Sequence, residues 1–267
     1  MQMRLSRKMA STGLPFSPRH RNLKKPKMEL NVYKNPDELS HAVAKWIADS
    51  IAATLKQQDR FTIALSGGST PIALHKILAA SPYKEQIDWS KVHVFWGDER
   101  AVPFQDDRNN AKMAYDTLLN LVPIPPYHIH VMRTDIDPVE SATEYEKILH
   151  FYFDQTATSF DLVLLGMGGD GHTLSLFPGT AAVHEEKAWT IAFFLKAQDM
   201  FRITLTKTIV NRAARVAFFT VGADKAHALK EVLQGAYNPD LYPSQEIKPV
   251  KGELYWFVDE AAASELK

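Results

Sequence analysis

An aspartate and a histidine stand two residues apart in a glycine-rich stretch, Gly166-Met-Gly-Gly-Asp-Gly-His172. The pairing suits proton transfer. An imidazole moves protons near neutrality, and an acid beside it can orient the ring or raise its basicity. The four glycines give the backbone freedom and let a ligand approach it closely. Gly168 and Gly169 are therefore read as ligand contacts, with Asp170 and His172 as the catalytic pair. A second stretch, Ser66-Gly67-Gly68-Ser69-Thr70, suits an anion. It offers inward-turned N–H groups at Gly67 and Gly68, hydroxyls at Ser69 and Thr70, and the positive end of a helix. It lacks the Lys-Ser/Thr pair of a nucleoside-triphosphate loop, so a single phosphate fits it better. A third stretch, Gly97-Asp-Glu-Arg100, supplies Arg100 as a cation for that phosphate. Asp98 is placed to hold sugar hydroxyls or the histidine. The alternative for Arg100 is a surface ion pair with Glu99 or Asp98.

Each cluster follows an apolar run of strand length: 61–66, 92–97 and 162–165. Helical spacing of Leu39, Val43, Trp46, Ile47, Ile51 and Leu55 predicts a helix over 36–56. Further helices are predicted at 71–80, opened by Pro71 behind Thr70, and at 110–121, 138–153 and 224–234, with a short one around Ile209. Strands are predicted at 128–132, 190–195, 202–206, 215–222 and 253–259, with Phe193, Phe194, Phe218 and Phe219 in the core. Strands alternating with helices predict an α/β fold, an open and mostly parallel sheet covered by helices on both faces, as one domain over 28–267. In such sheets ligands bind beyond the carboxyl ends of the strands, so the three clusters are expected to converge on one edge.

Composition narrows the function classes. The chain has 267 residues, 45% hydrophobic and 23% charged, as in ordinary globular proteins. Residues 1–27 hold eight Lys or Arg and no acid; the 31 basic residues less these eight leave 23 against 31 acids, a net of −8. An acidic body argues against nucleic acid as the main partner. The basic segment has no apolar core of the signal-peptide kind and reads as a flexible tail. No run is long enough to span a membrane, and a cytoplasmic location is expected. There is no cysteine, which excludes disulfides and thiol chemistry. The Gly166-x-Gly168-x-x-Gly171 spacing matches a dinucleotide fingerprint, but Pro178-Gly179 ends any helix too soon and no second acid follows at the required distance. His128 and His130 share a face of their predicted strand, without a third metal ligand in view. Ser66, Ser69 and Ser175 lack the nucleophile elbow of a serine hydrolase.

Taken in order, the stretches LSGGSTP (65–71), GDER with Asn109 downstream, GMGGDGHTLSLFPG (166–179), RITLT (202–206), VGADKAHAL (221–229) and GELYWFVDEAA near the end resemble the 6-phosphogluconolactonase family. The resemblance runs from about Met28 to Ala263. It implies a fold shared with glucosamine-6-phosphate deaminases and ribose-5-phosphate isomerases, no metal and no cofactor. The implied activity is hydrolysis of the δ-lactone of 6-phosphogluconate in the oxidative pentose phosphate pathway. His172 would be the base, and Gly67 to Thr70, Arg100 and Arg202 would hold the phosphate of this small sugar-phosphate partner. Arg202 is carried over from the family pattern alone, because it begins a predicted strand instead of ending one. A monomer or small homo-oligomer is expected. Deaminases place an Asn-Glu-Pro-Gly run where this chain has Leu176-Phe177-Pro178-Gly179, and the missing carboxylate favours the lactonase. A non-catalytic sugar-phosphate sensor is the third reading. Two departures from the family are Leu195–Met200 in place of a Lys-Pro-rich loop, which unsettles any role for Lys196, and Leu174 in place of a small residue, expected to alter packing only.

Overall fold

The computed structural model describes residues 28–267, so the predicted basic tail lies outside the described residues. In chain order the elements are β1 (Met28–Tyr33), α1 (Pro36–Leu55), β2 (Phe61–Leu65), α2 (Ser69–Leu78), α3 (Tyr83–Gln86), β3 (Val92–Trp96), β4 (Asp98–Arg100), α4 (Asn110–Ala114), α5 (Pro138–Phe153), β5 (Leu162–Leu165), β6 (Thr190–Leu195), β7 (Met200–Leu205), α6 (Lys207–Val210), β8 (Arg215–Thr220), α7 (Ala226–Gln234) and β9 (Glu253–Asp259). Six strands form a sheet in the order β1-β9-β8-β5-β2-β3, and all of its pairings are parallel. From β2 the chain runs outward to β3, then returns to lay β5 on the other flank of β2. The reversal leaves a crevice above the carboxyl ends of β2 and β5, where open α/β sheets bind ligands.

Every residue of β2 and β5 is buried, as expected for strands covered on both faces. Alternation sends Ile63 and Leu65 to a layer with Leu39, Val43 and Ile47 of α1 and Leu74 of α2. Ala64, Val163 and Leu165 face the opposite layer, with Tyr145, Leu149 and Phe153 of α5 and Leu229 of α7. The caps are local. The Asn35 side chain accepts from Glu38 N at 2.9 Å, and Asp137 accepts from Val139 N at 2.9 Å, each just ahead of a proline that starts its helix.

Four expectations need correction. Residues 128–132 form no strand; Ile129 makes one isolated bridge to Val94, and Pro126–His128 is a 3-10 turn, because two prolines and an exposed Tyr127 precede it. Thr70 does not cap α2, which starts at Ser69 behind Gly68, so Pro71 sits inside the first turn. Asp98–Arg100, read only as a polar cluster behind a strand, is itself a strand, β4, part of a second, antiparallel sheet in the order β4-β7-β6. Phe218 and Phe219 are core, but Phe194 is 45% exposed and Phe193 only partly buried, since β6 is the edge strand of that small sheet. Beyond Ala114 the predicted helix continues as a wider i→i+5 turn over Tyr115–Leu119.

Candidate active site

The strands β2 and β5 pair directly, Ile63 with Leu162 and Ala64 with Val163, so the turns at their carboxyl ends are neighbours. They enclose a cavity of about 280 Å³. Gly67, Gly68, Ser69 and Thr70 line one side, Gly168 and His172 another, and Asp98, Arg100 and Arg202 reach in from the small sheet. Gly169 and Asp170 belong to the same turn as His172, but do not line the cavity. Two glycines are structurally required. Gly68 has φ +99, which only glycine adopts without strain, and it aims the chain into α2. At Gly168 a Cβ would overlap the His172 ring, so the turn closes on its own histidine only because that atom is missing.

His172 Nδ1 lies 2.5 Å from Asp170 Oδ1, and the same oxygen accepts from His172 N at 3.1 Å. The aspartate therefore both shapes the turn and fixes the ring. Burial alone would raise the Asp170 carboxyl, but the hydrogen bond and charge of His172 hold it below the ordinary carboxylate value. An ionised carboxylate only accepts, so Nδ1 carries the proton, and in the neutral ring Nε2 presents a lone pair. Among the described residues Nε2 has no hydrogen-bond partner. Phe177 stacks on the ring with centroids 4.2 Å apart and keeps it upright.

The small sheet resolves how Arg202 arrives. β4 and β7 run antiparallel with Arg100 opposite Arg202, so a residue near the start of β7 lies beside the residue that ends β4. Arg202 is 3% exposed; its Nη2 donates to Asp98 Oδ2 at 2.6 Å and its Nη1 to Gln198 Oε1 at 2.9 Å. Ser175 Oγ donates to the same aspartate oxygen at 2.6 Å. Burial pushes the Asp98 carboxyl up, while Arg202 beside it and the Ser175 hydroxyl bring it below the ordinary value. Asp98 thus holds an arginine; the expected pairing with the histidine is absent because Asp170 fills that role.

Arg100 pairs with neither Glu99 nor Asp98 through its side chain. Its Nη1 donates to Arg108 O at 3.2 Å and to Asn110 Oδ1 at 2.5 Å. Burial lowers its affinity for the proton, with Asp98 opposing. The Glu99 carboxylate turns away from the cavity and accepts from Arg100 N, Asn110 N and Ala111 N at 2.8, 2.7 and 2.8 Å. Burial drives this carboxyl up to about 7 against those three donors.

Sequence reasoning missed Asn110, Gln198, Ser175, Phe177 and Lys225 as parts of the site. Lys225 lines the cavity and pairs with Asp224 at 2.8 Å; its signal was the 221–229 stretch, noted without a role. Lys196 is absent from the cavity wall, and its neighbour Gln198 takes the place beside Arg202. Leu174 is buried, lines the cavity and has φ +54, an uncommon conformation for a branched residue.

The model of the family "Glucosamine-6-phosphate isomerases/6-phosphogluconolactonase" matches residues 34–256. A 6-phosphogluconolactonase of Nostoc sp. is 42% identical over 225 residues, covering 82% of this chain and 90% of that one. The "6-phosphogluconolactonase 3, chloroplastic" of Arabidopsis thaliana is 36% identical and covers 91% of this chain and 77% of its own. Among solved structures, the 6-phosphogluconolactonase of Trypanosoma brucei superposes with a TM-score of 0.79 at 28% identity, over 91% of this chain and all of that one.

Proposed function

As the chain belongs to the glucosamine-6-phosphate isomerase/6-phosphogluconolactonase family, we propose that it hydrolyses 6-phospho-D-glucono-1,5-lactone to 6-phospho-D-gluconate. One observation carries the reading: an Asp170-anchored imidazole, its Nε2 without a partner among the described residues, lines a cavity whose other walls are an anion turn and two arginines.

The chemistry follows from those groups. Gly67 to Thr70 and Arg100 hold the phosphate, with Lys225, paired with Asp224, at the wall. Arg202 is compensated by Asp98, so Arg100 supplies the larger share of net attraction. Phosphate binding fixes the lactone carbonyl against His172, using remote binding energy to orient the reacting centre. His172 Nε2 takes a proton from water as the water oxygen bonds to C1. The tetrahedral oxyanion is met by N–H groups of the glycine turn or by an arginine. Collapse breaks the bond to the ring oxygen, which receives the proton from His172. No net charge remains on the imidazole after one turnover.

Asp98 Oδ1 makes no hydrogen bond among the described residues and is left for a sugar hydroxyl. Deamination needs a carboxylate near the ring-opening oxygen. The stretch after Ser175 instead presents Phe177, packed flat on the histidine. A paired assay tests the reading. Acid release from freshly made lactone, above spontaneous hydrolysis, is expected in a pH-stat, with no ammonia from glucosamine 6-phosphate. Ammonia release without lactone turnover would replace lactonase by deaminase, and silence in both would leave a binding protein.

A further inference from the structure

We propose that Asn110 is a positioning residue for Arg100, an uncharged clamp that aims the guanidinium into the cavity and leaves its charge available to an anion. Asn110 is 1% exposed, yet its side chain reaches the cavity wall. Three ties hold it. Its backbone N donates to Glu99 Oε1 at 2.7 Å, its Nδ2 donates to Asp98 O at 2.8 Å, and its Oδ1 accepts from Arg100 Nη1. It also abuts the anion turn, because a Cβ on Gly67 would overlap the Asn110 carboxamide. One side chain therefore joins the phosphate turn, β4 and the arginine.

The choice of an amide matters. Two carboxylates stand close to Arg100 in sequence, and neither bonds its guanidinium: Asp98 Oδ2 takes Arg202 and Ser175, and Glu99 takes three backbone N–H groups. The protein acceptors left to Arg100 are neutral, the Asn110 amide and the Arg108 carbonyl. Among the described residues Nε and Nη2 donate to nothing. A carboxylate at 110 would hold the guanidinium as firmly and cancel its charge, whereas an amide fixes its direction only. In a half-desolvated cavity the difference between a free and a compensated cation is large.

The inference rests on the reading that the cavity takes a phosphorylated substrate. Its test uses the full chain, with calorimetric titration of inorganic phosphate beside steady-state kinetics. Asn110→Asp keeps the shape, adds the charge and gives up the Nδ2 donor to Asp98 O. It should weaken phosphate binding and raise KM for the phosphorylated lactone about tenfold, while kcat falls less than threefold and KM for unphosphorylated gluconolactone rises much less. In an Arg100→Ala background Asn110→Ser, which brings no charge of its own beside the anion turn, should have no further effect on phosphate, because Asn110 acts through that arginine. Phosphate affinity unchanged within twofold in a folded Asn110→Asp variant overturns the inference. Should that variant not fold, Asn110→Ser keeps an acceptor too short to span Asp98 and Arg100; it should cost about threefold in phosphate affinity, and no loss overturns the inference equally. A wild-type protein that binds phosphate but leaves the lactone untouched would end the lactonase reading and not this one. One that hydrolyses the lactone without binding phosphate would do the reverse.

Discussion

At the carboxyl edge of the sheet, His172 stacks on Phe177 and bonds the Asp170 carboxylate. At the outer edge, His93 of β3 stacks on His128 with centroids 3.7 Å apart, and the rings of His93 and His130 both reach the Tyr152 hydroxyl at 2.8 Å. Both clusters are aromatic and partly buried, but the partner of the ring nitrogen differs. A carboxylate welcomes a charge on the imidazole and settles which nitrogen holds the proton. A phenol does neither, and three neighbouring imidazoles oppose one another's protonation. Burial, with the other histidines, pushes His93 and His130 down to about 4. On the proposed reading one cluster exchanges a proton with a ligand, while the other is arranged to remain neutral within the packing.

The sharpest break of that contrast is His172→Ala, expected to lower kcat at least about a hundredfold, the low end for losing a general base. His93→Gln should leave kcat unchanged. Equal losses in the two variants would mean that ring environment does not separate them. Asp170→Asn keeps the shape and removes the charge, and should cost about tenfold to a hundredfold in kcat, with the fold intact by circular dichroism. Arg100→Ala comes next: KM for phosphorylated lactone should rise about tenfold relative to unphosphorylated lactone, the scale of one charge-assisted contact. An unaltered preference between the two lactones would show that Arg100 does not read phosphate.

Legibility in the sequence followed the range of the interactions. β5, β6, β9 and α5 were readable to the residue, because apolar runs and the Asp137-Pro138 start signal are local facts. The glycine turn and its Asp170–His172 bond span two residues and were equally plain. The assembly of the small sheet was not. β4 is three charged residues, Asp98-Glu-Arg100, and carries no strand pattern because its side chains face an arginine, a helix start and a cavity. Its partner lies 104 residues away, so neither the Asp98–Arg202 pair nor the arrival of Arg202 beside Arg100 leaves a local trace. Asn110 stayed hidden for a related reason: an asparagine opening a helix looks like ordinary capping until its side chain is seen to bond elsewhere.

The smallest expected effect concerns stability, and it sharpens the contrast from the histidines that do no chemistry. His93 and His130 sit near 4 in the folded chain against 6.5 unfolded, and fully buried His75, bonded to Thr117 Oγ1 at 2.9 Å, is lowered to about 4 by burial. Between those values the unfolded chain binds more protons than the folded one, so stability rises with pH across that window. It is fully present above about 6.5 and drains away as pH falls toward 4. The groups facing the edge cluster, Arg60 over the Tyr152 ring and the His128 ring, add no negative charge to offset this. Thermal unfolding should therefore move down by several degrees from pH 7 to pH 4.5, on the scale of 2–4 °C per kcal/mol for a chain of about this size. The variant His93→Gln/His130→Gln should flatten part of that fall, the rest remaining with His75. A slope that the edge variant leaves unchanged would overturn this account of the edge cluster.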